Sequence, residues 1–381
     1  MFYTVFSTDD RPYMQWQADL LEYSWKRVNQ PGQLVRLVAT NEPQSLPTQQ
    51  YARCVATTLW NTHPESGDNY PIYNKPASLL EWLYLYKPEG TVLFIDPDCV
   101  FRKAVTQRVA PGAAVSQSWV DLQLSPASKE KPFGLPEKFS FLADKCANVE
   151  LQSDAVMIPT LIHTHDLRKI CARWLELCAI IRDNLRDADG RHVWESDMFA
   201  YIITCAEYGI RHKKANLGIC TNWDPESMPD SPIIHYCQSI SDVENRVIFD
   251  KHHYSPWQPV YSSVEAQHYF GRDLVELINS KVFELTGLAP SFPREGRPLR
   301  SADVMEGRAL DNLLLEIPSQ SKSLWLNASG KLIWDLCDGE STVEKIASSI
   351  SGSFDVASDV AAKHASELLG QLRSMGFIEI R

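Results

Sequence analysis

The sequence predicts an α/β fold followed by a smaller second domain. The chain opens with the pattern of a strand, a helix and another strand, and the apolar segment 90–95 runs into two carboxylates, Asp96 and Asp98. After residue 285 the composition changes sharply. A strand–helix–strand order favours a parallel sheet with a right-handed crossover. The 381 residues, 44% of them hydrophobic, can fill one large core and a smaller one.

Charge and cysteine content restrict the class of protein. A formal net charge of -11 does not favour broad attraction to nucleic acid. The nine cysteines are an odd number without a Cys-x-x-Cys pair, which argues against both a disulfide framework and a zinc site. The sequence shows neither a signal peptide nor the roughly 18 to 20 apolar residues of a membrane span. We therefore expect a cytoplasmic protein that binds neither nucleic acid nor membrane.

The first elements place the two carboxylates at a sheet edge. We expect a strand, a helix and a strand at 2–6, 13–28 and 33–39. A second helix begins near Pro76 and leads into the strand that ends at Asp96, which makes that strand central. Open α/β sheets bind ligands at the carboxyl edge of their strands. Two oxygen ligands there suit a divalent cation that carries phosphates.

The middle of the chain alternates a loop with further regular elements. Residues 125–145 are rich in Pro, Lys and Gly, which indicates a surface loop or lid. A strand at 149–158 and helices at 167–183 and 195–207 follow, and Gly209 closes the last helix.

The segment after the transition predicts a winged-helix-like α+β unit. We place a first domain at 1–285, a Pro, Gly and Arg-rich linker at 286–300 and a second domain at 301–381. Asn327 can cap a helix that Gly339 ends, and Ser341-Thr-Val-Glu344 is a capping box for the next one. A third helix at 358–375 precedes a strand at 377–380, and its expected inward residues are Val360, Leu368, Leu369 and Leu372.

The chain up to about residue 270 resembles the plant hydroxyproline O-arabinosyltransferases and peptidyl serine α-galactosyltransferases. The shared blocks are Phe2-Tyr-Thr-Val, Trp16-Gln17, Tyr70-Pro-Ile-Tyr-Asn-Lys-Pro-Ala77, Glu81-Trp82-Leu83, Phe94-Ile-Asp-Pro-Asp98, Trp194-Glu-Ser-Asp-Met-Phe-Ala-Tyr201, Ile233-Ile-His-Tyr236 and Phe249-Asp-Lys-His-His-Tyr254. The resemblance implies a GT-A (Rossmann-like) domain that binds a nucleotide sugar, with Mn²⁺ or Mg²⁺ on the diphosphate. The plant group tends to have Glu-Pro-Asp-His where this chain has Asp96-Pro-Asp-Cys99, and the block around Ser153 is less close.

The segment from Leu324 to Ile378 resembles the PqqD family. Members of that family bind the leader of a ribosomally made precursor peptide, usually as an added strand. Both resemblances name a peptide as partner, so together they imply a bacterial tailoring enzyme that glycosylates a precursor peptide. We expect the leader to bind within 301–381 and the core of the peptide to be the acceptor.

The resemblance also assigns roles at the donor site. Asp98 is the expected metal ligand, Asp96 contacts the metal or the ribose, and His235 is the third protein ligand. Lys251 or Lys75 adds positive charge beside the diphosphate, where the transition state gains negative charge. Asn74 is expected to meet a sugar or uracil edge, since an amide both donates and accepts. Three residues at the first strand are expected to border the nucleoside: Thr4, Val5 and Thr8.

The remaining assignments concern the sugar and the acceptor. Asp197 is the expected sugar-facing carboxylate, with Glu195 beside it at the start of a helix and Asp154 as the second candidate. Because the relatives are retaining enzymes, the leaving phosphate oxygen can take the acceptor proton, and we name no catalytic base. Trp223, Asp224 and Trp257 are expected either to wall the acceptor site or simply to pack.

The sequence is compatible with three functions. The first is a metal-dependent, retaining transfer of a hexose or pentose from a UDP-sugar to a Ser, Thr or hydroxylated side chain of a precursor peptide. The second is a non-catalytic peptide-binding scaffold with a degenerate transferase domain. The third is a sugar-nucleotide hydrolase or a transferase acting on a small molecule, for which a leader-binding domain would have no purpose.

Overall fold

The structure is a computed structural model that divides into two compact units, Met1–Cys237 and Gln238–Arg381. It describes residues 1–118, 135–146, 156–221, 230–241, 245, 247–257, 260, 266–286, 296–309, 312–320 and 322–381. None of the helices in these ranges is both long and apolar enough to cross a lipid bilayer.

The first unit contains ten described strands and four α-helices. The strands are β1 (Phe2–Asp9), β2 (Gln33–Ala39), β3 (Arg53–Thr57), β4 (Thr91–Phe94), β5 (Cys99–Phe101), β6 (Ala113–Ser118), β7 (Val156–His163), β8 (Arg211–Ala215), β9 (Gly218–Cys220) and β10 (Ile233–His235). The helices are α1 (Pro12–Arg27), α2 (Asn74–Tyr86), α3 (Thr164–Asn184) and α4 (Ser196–Glu207).

Seven of these strands form one mixed sheet in the order β3-β2-β1-β4-β7-β6-β8. The expected parallel order holds for β1 to β4. It fails at β7, which runs antiparallel to both β4 and β6. The strand β4 is central, as predicted, and all of its residues are buried. Both faces of β1 are also buried over its whole length, which explains its nearly continuous run of apolar and small residues.

Local sequence signals explain the helix limits. Pro12 occupies the first turn of α1, where its missing N–H costs no hydrogen bond. Gly209 follows α4 with φ +67°, a conformation that glycine adopts without strain, and this confirms the predicted helix end. The strand β1 is three residues longer than predicted, and β3 was not predicted at all.

The predicted loop or lid at 125–145 is only partly described. Residues 119–134 lie outside the described ranges. Glu137–Leu142 form a 3₁₀ helix that buries Phe139 and Leu142. The ring of Phe139 contacts that of Phe199 on α4, with centroids 5.3 Å apart. This part of the segment belongs to the core and not to a surface loop.

A second, three-stranded sheet, β5-β10-β9, lies in the same unit. The central strand β10 pairs antiparallel with β5 and parallel with β9. All nine residues of these short strands are buried. This sheet joins the segment after Asp98 to the end of the unit.

The second unit contains seven described strands and four α-helices. The strands are β11 (Ile240–Ser241), β12 (Val247–Phe249), β13 (Pro298–Arg300), β14 (Met305–Ala309), β15 (Asn312–Ile317), β16 (Lys322–Leu326) and β17 (Ile378–Ile380). The helices are α5 (Tyr269–Thr286), α6 (Ala328–Asp335), α7 (Val343–Phe354) and α8 (Ser358–Ser374).

Several predictions for this unit need correction. The linker was placed at 286–300, yet Pro298–Arg300 form β13 and pair with β17. The antiparallel sheet β14-β15-β16 was not predicted. Asn327 does cap α6, since its side chain accepts a hydrogen bond from the Gly330 N–H, but α6 ends at Asp335, before Gly339. The cap of α7 is Thr342, one residue later than the expected Ser341.

Candidate active site

The two carboxylates lie directly after β4, where the sequence placed them. The Ile95 N–H donates to the Val5 carbonyl, so the pairing of β4 with β1 continues by one more residue. The chain then turns, and the Cys99 N–H donates to the Asp96 carbonyl. Asp96 and Asp98 keep only 9% and 6% of their surface exposed. Two buried acids so close together need nearby positive charge.

His235 meets these carboxylates from the neighbouring sheet. Its Nε2 lies 3.2 Å from Asp98 Oδ1 and 3.8 Å from Asp96 Oδ2. The Tyr236 N–H donates to the Asp98 carbonyl and fixes this approach. Burial alone would lower the pKa of His235, but the carboxylates of Asp98 and Asp96 outweigh it and raise the pKa to about 9. The three expected metal ligands therefore converge.

Lys75 supplies a second positive charge. Its Nζ lies 2.9 Å from Asp96 Oδ1 and 3.6 Å from Asp197 Oδ2. Burial would lower the pKa of Lys75, but Asp96 and Asp197 outweigh it and raise the pKa above its usual value. The side chain is buried. Lys75 is thus a fixed, charged donor beside Asp96.

Asp197 projects from the first turn of α4 into the same cluster. Its Oδ1 accepts a hydrogen bond of 3.0 Å from the Tyr70 hydroxyl, and its carbonyl accepts one of 2.8 Å from the Trp174 indole. Oδ2 is buried without a hydrogen-bond partner among the described residues. Burial raises the pKa of Asp197, and Lys75 only partly opposes this, because Lys75 is closer to Asp96. Oδ2 can therefore accept a further hydrogen bond.

Glu195 and Asn74 are placed differently from Asp197. Glu195 is partly exposed at the N-cap of α4 and interacts electrostatically with Lys138. The Asn74 side chain makes three hydrogen bonds inside the protein. Its Oδ1 accepts from the Trp60 N–H, and its Nδ2 donates to Asn61 Oδ1 and to the Pro71 carbonyl. The geometry gives Asn74 the task of holding the 60–61 segment against α2.

The nucleoside-bordering candidates on β1 are fully or almost fully buried. Thr4 Oγ1 accepts from the indole N–H of Trp25, and Thr8 Oγ1 accepts from Arg36 Nε. Val5 pairs with both neighbouring strands and is completely buried. Only Thr8 stands at the carboxyl end of the strand.

Five other expected site residues have no described position relative to this cluster. Asp154, Trp223 and Asp224 lie outside the described residues. Lys251 and Trp257 belong to the second unit, where both are partly buried. The roles expected of these five residues stay predictions.

Tyr70 is a site residue that the sequence reasoning did not identify. Its hydroxyl also donates to the Trp194 carbonyl, so it joins the segment before α2 to the start of α4. The Arg182 guanidinium lies over the Tyr70 ring, 4.1 Å from its centroid, and pairs with both oxygens of Asp68 at 3.0 Å. The only sequence signal for Tyr70 is its position at the start of the block that also contains Asn74 and Lys75.

The donor set fits a divalent cation. Asp96 and Asp98 offer hard oxygen ligands, and His235 offers a borderline nitrogen, a combination that suits Mn²⁺ or Mg²⁺ shared with phosphate oxygens. The cationic His235 and Lys75 show that this cluster is held together by positive charge. A divalent cation can replace the imidazolium proton in that role.

Comparison with known proteins now defines the class. A model of the hydroxyproline O-arabinosyltransferase family N-terminal domain matches residues 2–214. This match spans more than half of the chain, so the chain belongs to the hydroxyproline O-arabinosyltransferase family. A model of coenzyme PQQ synthesis protein D (PqqD) matches residues 313–378, and the chain therefore also carries a PqqD domain.

Three curated relatives illustrate the family likeness. A peptidyl serine alpha-galactosyltransferase of Arabidopsis thaliana is 25% identical over 61% of this chain and 30% of its own length. The peptidyl serine alpha-galactosyltransferase of Chlamydomonas reinhardtii is 26% identical over 66% of this chain and 36% of its own length. The hydroxyproline O-arabinosyltransferase NOD3 of Pisum sativum is 22% identical over 62% of this chain and 69% of its own length. The chain thus spans about a third of the length of the two galactosyltransferases.

Solved structures show weaker likeness. An active-site mutant of LgtC is 13% identical and covers 73% of this chain and 95% of its own, with a TM-score of 0.42. TbiB1 in complex with the TbiA(beta) leader peptide is 21% identical and covers 21% of this chain and 94% of its own, with a TM-score of 0.20. Both TM-scores are too low to establish a common fold.

Proposed function

We propose that this protein is a metal-dependent, retaining glycosyltransferase that moves a sugar from a UDP-sugar to a Ser, Thr or hydroxylated side chain of a precursor peptide. The observation that carries the proposal is the convergence of Asp96, Asp98 and His235 with Lys75 and Asp197 at the end of β4. The family relatives, which are named as peptidyl glycosyltransferases, support a peptide acceptor.

The donor diphosphate belongs beside the carboxylates. Asp98, Asp96 and His235 would hold the cation, and Lys75 would place its ammonium near the same oxygens. When bound, the cation neutralises charge on the departing diphosphate. Lys75 orients Asp96 through its ion pair, and its own charge stabilises negative charge that develops nearby. Burial strengthens these interactions because little water screens them.

Asp197 faces the sugar in this proposal. Its uncommitted Oδ2 can accept a hydrogen bond from a sugar hydroxyl, while Tyr70 and Trp174 hold the carboxyl group in place. In the reaction the bond between the anomeric carbon and the diphosphate oxygen breaks, and a bond to the acceptor oxygen forms on the same face. The proton of the acceptor hydroxyl passes to the leaving phosphate oxygen. No protein base is needed in such a step.

The PqqD domain supports a precursor peptide as the partner. Its match covers β15, β16 and all three helices α6 to α8. A domain of this kind can hold a leader by adding it to a sheet edge, and β14 and β16 are the edges of the three-stranded sheet. A peptide held in this way presents its core at a high effective concentration to the transferase domain.

A non-catalytic scaffold is the second candidate function. It would require decay of the donor site, whereas each buried carboxylate of the cluster still lies beside Lys75 or His235. Unused buried charges are costly and tend to be replaced by apolar residues. This observation favours a working site.

Calorimetric titration with a panel of UDP-sugars in Mn²⁺ tests the proposal. We expect one UDP-sugar to bind, and binding to be lost on chelation and in Asp98→Asn. The matched control is Asp230→Asn, because that carboxylate belongs to the same unit but is 85% exposed and pairs only with the exposed Lys103 among the described residues. It should bind like the unmodified protein. Absence of binding across the panel, or undiminished binding by Asp98→Asn, would contradict the proposal.

A further inference from the structure

The small sheet gathers sulfur and imidazole ligands behind the carboxylates. His235 on β10 stands opposite Cys99 on β5 and opposite Cys220 on β9. Side chains of partners in register project from the same face of a sheet, so these three form one row. Single ligand atoms of Cys220, His235 and Cys237 all lie within 4.8 Å of one another. Cys99 and Cys220 are almost completely buried.

The distances in this row are close to those of a metal site. Cys220 Sγ and His235 Nδ1 are 3.9 Å apart. Tetrahedral zinc, with bonds of about 2.0 Å to nitrogen and 2.3 Å to sulfur, separates such atoms by about 3.6 Å. A shift of a few tenths of an ångström would bring both atoms into contact with one ion.

The other nitrogen of the same imidazole strengthens the assignment. His235 Nε2 faces Asp98 Oδ1 at 3.2 Å. A metal-bound histidine almost always donates its second ring N–H to a carboxylate or carbonyl oxygen, which fixes the tautomer and the ring orientation. The row therefore has the carboxylate–histidine–metal arrangement, with the metal position on the side of the two cysteines.

We propose that Cys220, Cys237 and His235 Nδ1 bind a thiophilic divalent cation such as Zn²⁺, at a position distinct from the cation expected at Asp96 and Asp98. Three protons leave to solvent, one from each thiol and one from His235 Nδ1, as two sulfur–metal bonds and one nitrogen–metal bond form, so the two thiolates balance the charge of the cation. If both cations are bound, Nε2 gives up its proton as well, and the imidazole ligates one cation through each of its nitrogens. Cys99 is grouped with Asp98 and His235 and not with the two cysteines, so we do not assign it as a ligand. The ion would fasten β9 to β10 directly behind the candidate active site.

This site gives no conventional sequence signal. The ligands come from two strands and a residue after the second strand, and Cys220 and His235 are 15 positions apart. A Cys-x-x-Cys search does not find such a set. The absence of a Cys-x-x-Cys pair excludes only zinc sites whose cysteines are close together in the sequence.

Cobalt spectroscopy of the full chain tests the proposal. Reduced, metal-free protein titrated with Co²⁺ should develop thiolate-to-cobalt charge-transfer absorption and the visible bands of a tetrahedral site. Cys220→Ser combined with Cys237→Ser should abolish the charge transfer. The matched control combines Cys171→Ser and Cys205→Ser, two buried core cysteines, and should retain it.

The same measurement separates this proposal from the proposed function. The variant that combines Asp96→Asn with Asp98→Asn lacks the carboxylate ligands of the donor-site cation, and it should keep the charge-transfer absorption. The assay contains no sugar nucleotide, so its result does not depend on donor binding. Absence of charge-transfer absorption from the Co²⁺-titrated unmodified protein would overturn the proposed cation site. This outcome does not depend on whether the serine variant folds. Charge transfer that persists in the Cys220/Cys237 variant would also overturn the site, as would an intact mass showing that these two thiols are joined as a disulfide.

Discussion

Lys75 pairs with two buried carboxylates, those of Asp96 and Asp197. We expect Lys75→Met to lower the free energy of unfolding by about 3–5 kcal/mol, because removing one partner leaves buried charge uncompensated. Urea unfolding followed by circular dichroism measures this. The matched control is Lys103→Met, whose ammonium pairs with Asp230 at the surface and should cost no more than about 1 kcal/mol. Equal losses in the two variants would contradict the buried-cluster explanation.

The pair of Asp68 and Arg182 makes stability depend on pH. Burial would raise the pKa of Asp68, but hydrogen bonds from Arg182 and Tyr73 outweigh it and lower the pKa. A carboxyl group with a lowered pKa in the fold stabilises it fully above the unfolded value of about 3.9, and the stabilisation is lost as the pH falls through the folded pKa. Asp68→Asn should therefore lower the free energy of unfolding at neutral pH by roughly 3–5 kcal/mol.

Urea unfolding of both proteins across the acid range checks the sign of this effect. The difference between the unmodified protein and Asp68→Asn should begin to shrink below about pH 4, where the unfolded chain takes up the proton, and should be lost below the folded pKa, because both proteins then lack the charged carboxylate. Asp230→Asn again serves as the exposed control. A difference that grows on acidification would refute this account of Asp68.

Sequence reasoning at this scale found the residues that follow strands and missed the residues that support them. The patterns at Asp96, Asp98 and His235 placed each one at a strand end, and the structure brings them together. Tyr70 acts through a hydroxyl that reaches Asp197, 127 positions away. Periodicity carries no information about a contact of that range.

At the scale of the element, α8 shows how an inward face can be misassigned by one residue. Val360 was expected to point inward but is 41% exposed, while Ala361, Ala365, Leu369 and Leu372 are completely buried. The small alanines permit close packing, so they define the face although they contribute little to the apolar pattern. Counting only large residues shifted the prediction toward Val360.

A pair of alanine substitutions tests the observed face of α8. Leu369→Ala should lower the free energy of unfolding by about 2–5 kcal/mol, because it leaves a cavity in a closed core. Val360→Ala should change it by no more than about 0.5 kcal/mol, since the side chain is largely exposed. Chemical unfolding of both variants measures the difference. Similar losses for the two substitutions would contradict this orientation of the helix.

The strands β14, β15 and β16 were missed for a related reason. Buried and partly buried residues alternate along β15, but Leu313, Leu314 and Leu315 are consecutive leucines that hide the alternation. Leucine has no strong preference for strands, in contrast to β-branched residues. Tertiary pairing with β14 and β16 decides the conformation here.

At the scale of the whole molecule, the proposed division of tasks between a transferase domain and the PqqD domain predicts a dependence on the leader. If the PqqD domain captures the leader, a leaderless core peptide should show kcat/KM lower by about 100-fold or more, because the effective concentration is lost. The value of kcat at saturating core peptide should stay nearly the same. Steady-state assays with the full precursor and the leaderless core measure both quantities.

A leader supplied as a separate molecule provides the control. It should bind the protein without restoring kcat/KM of the leaderless core, since the link between leader and core is broken. Full restoration in that experiment would indicate that the leader activates the enzyme instead of tethering the peptide. Equal kcat/KM for precursor and core would contradict any role of the PqqD domain in acceptor recognition.

The sequence predicted the limit between the two parts of the chain less accurately than it predicted the location of the site. The two resemblances located a transferase part and a PqqD part, whereas the compact units meet at Cys237 and Gln238, well before the predicted limit at 285. Composition marks a polar linker but does not reveal which core the segment before it joins. The antiparallel β7 likewise depends on a long-range pairing with β4 that local patterns do not encode.

The approach of His235 to Asp98 has a consequence for synthesis of the protein. The carboxylates are translated in the first third of the chain, but the imidazole and the Tyr236 N–H that fix them come from the last residues of the first unit. A nascent chain that ends before β10 thus carries an incomplete donor site. Contacts between distant segments also form late in folding. Affinity for a nucleotide sugar should therefore emerge only after the ribosome has released the whole first unit, so that donor binding reports completed folding.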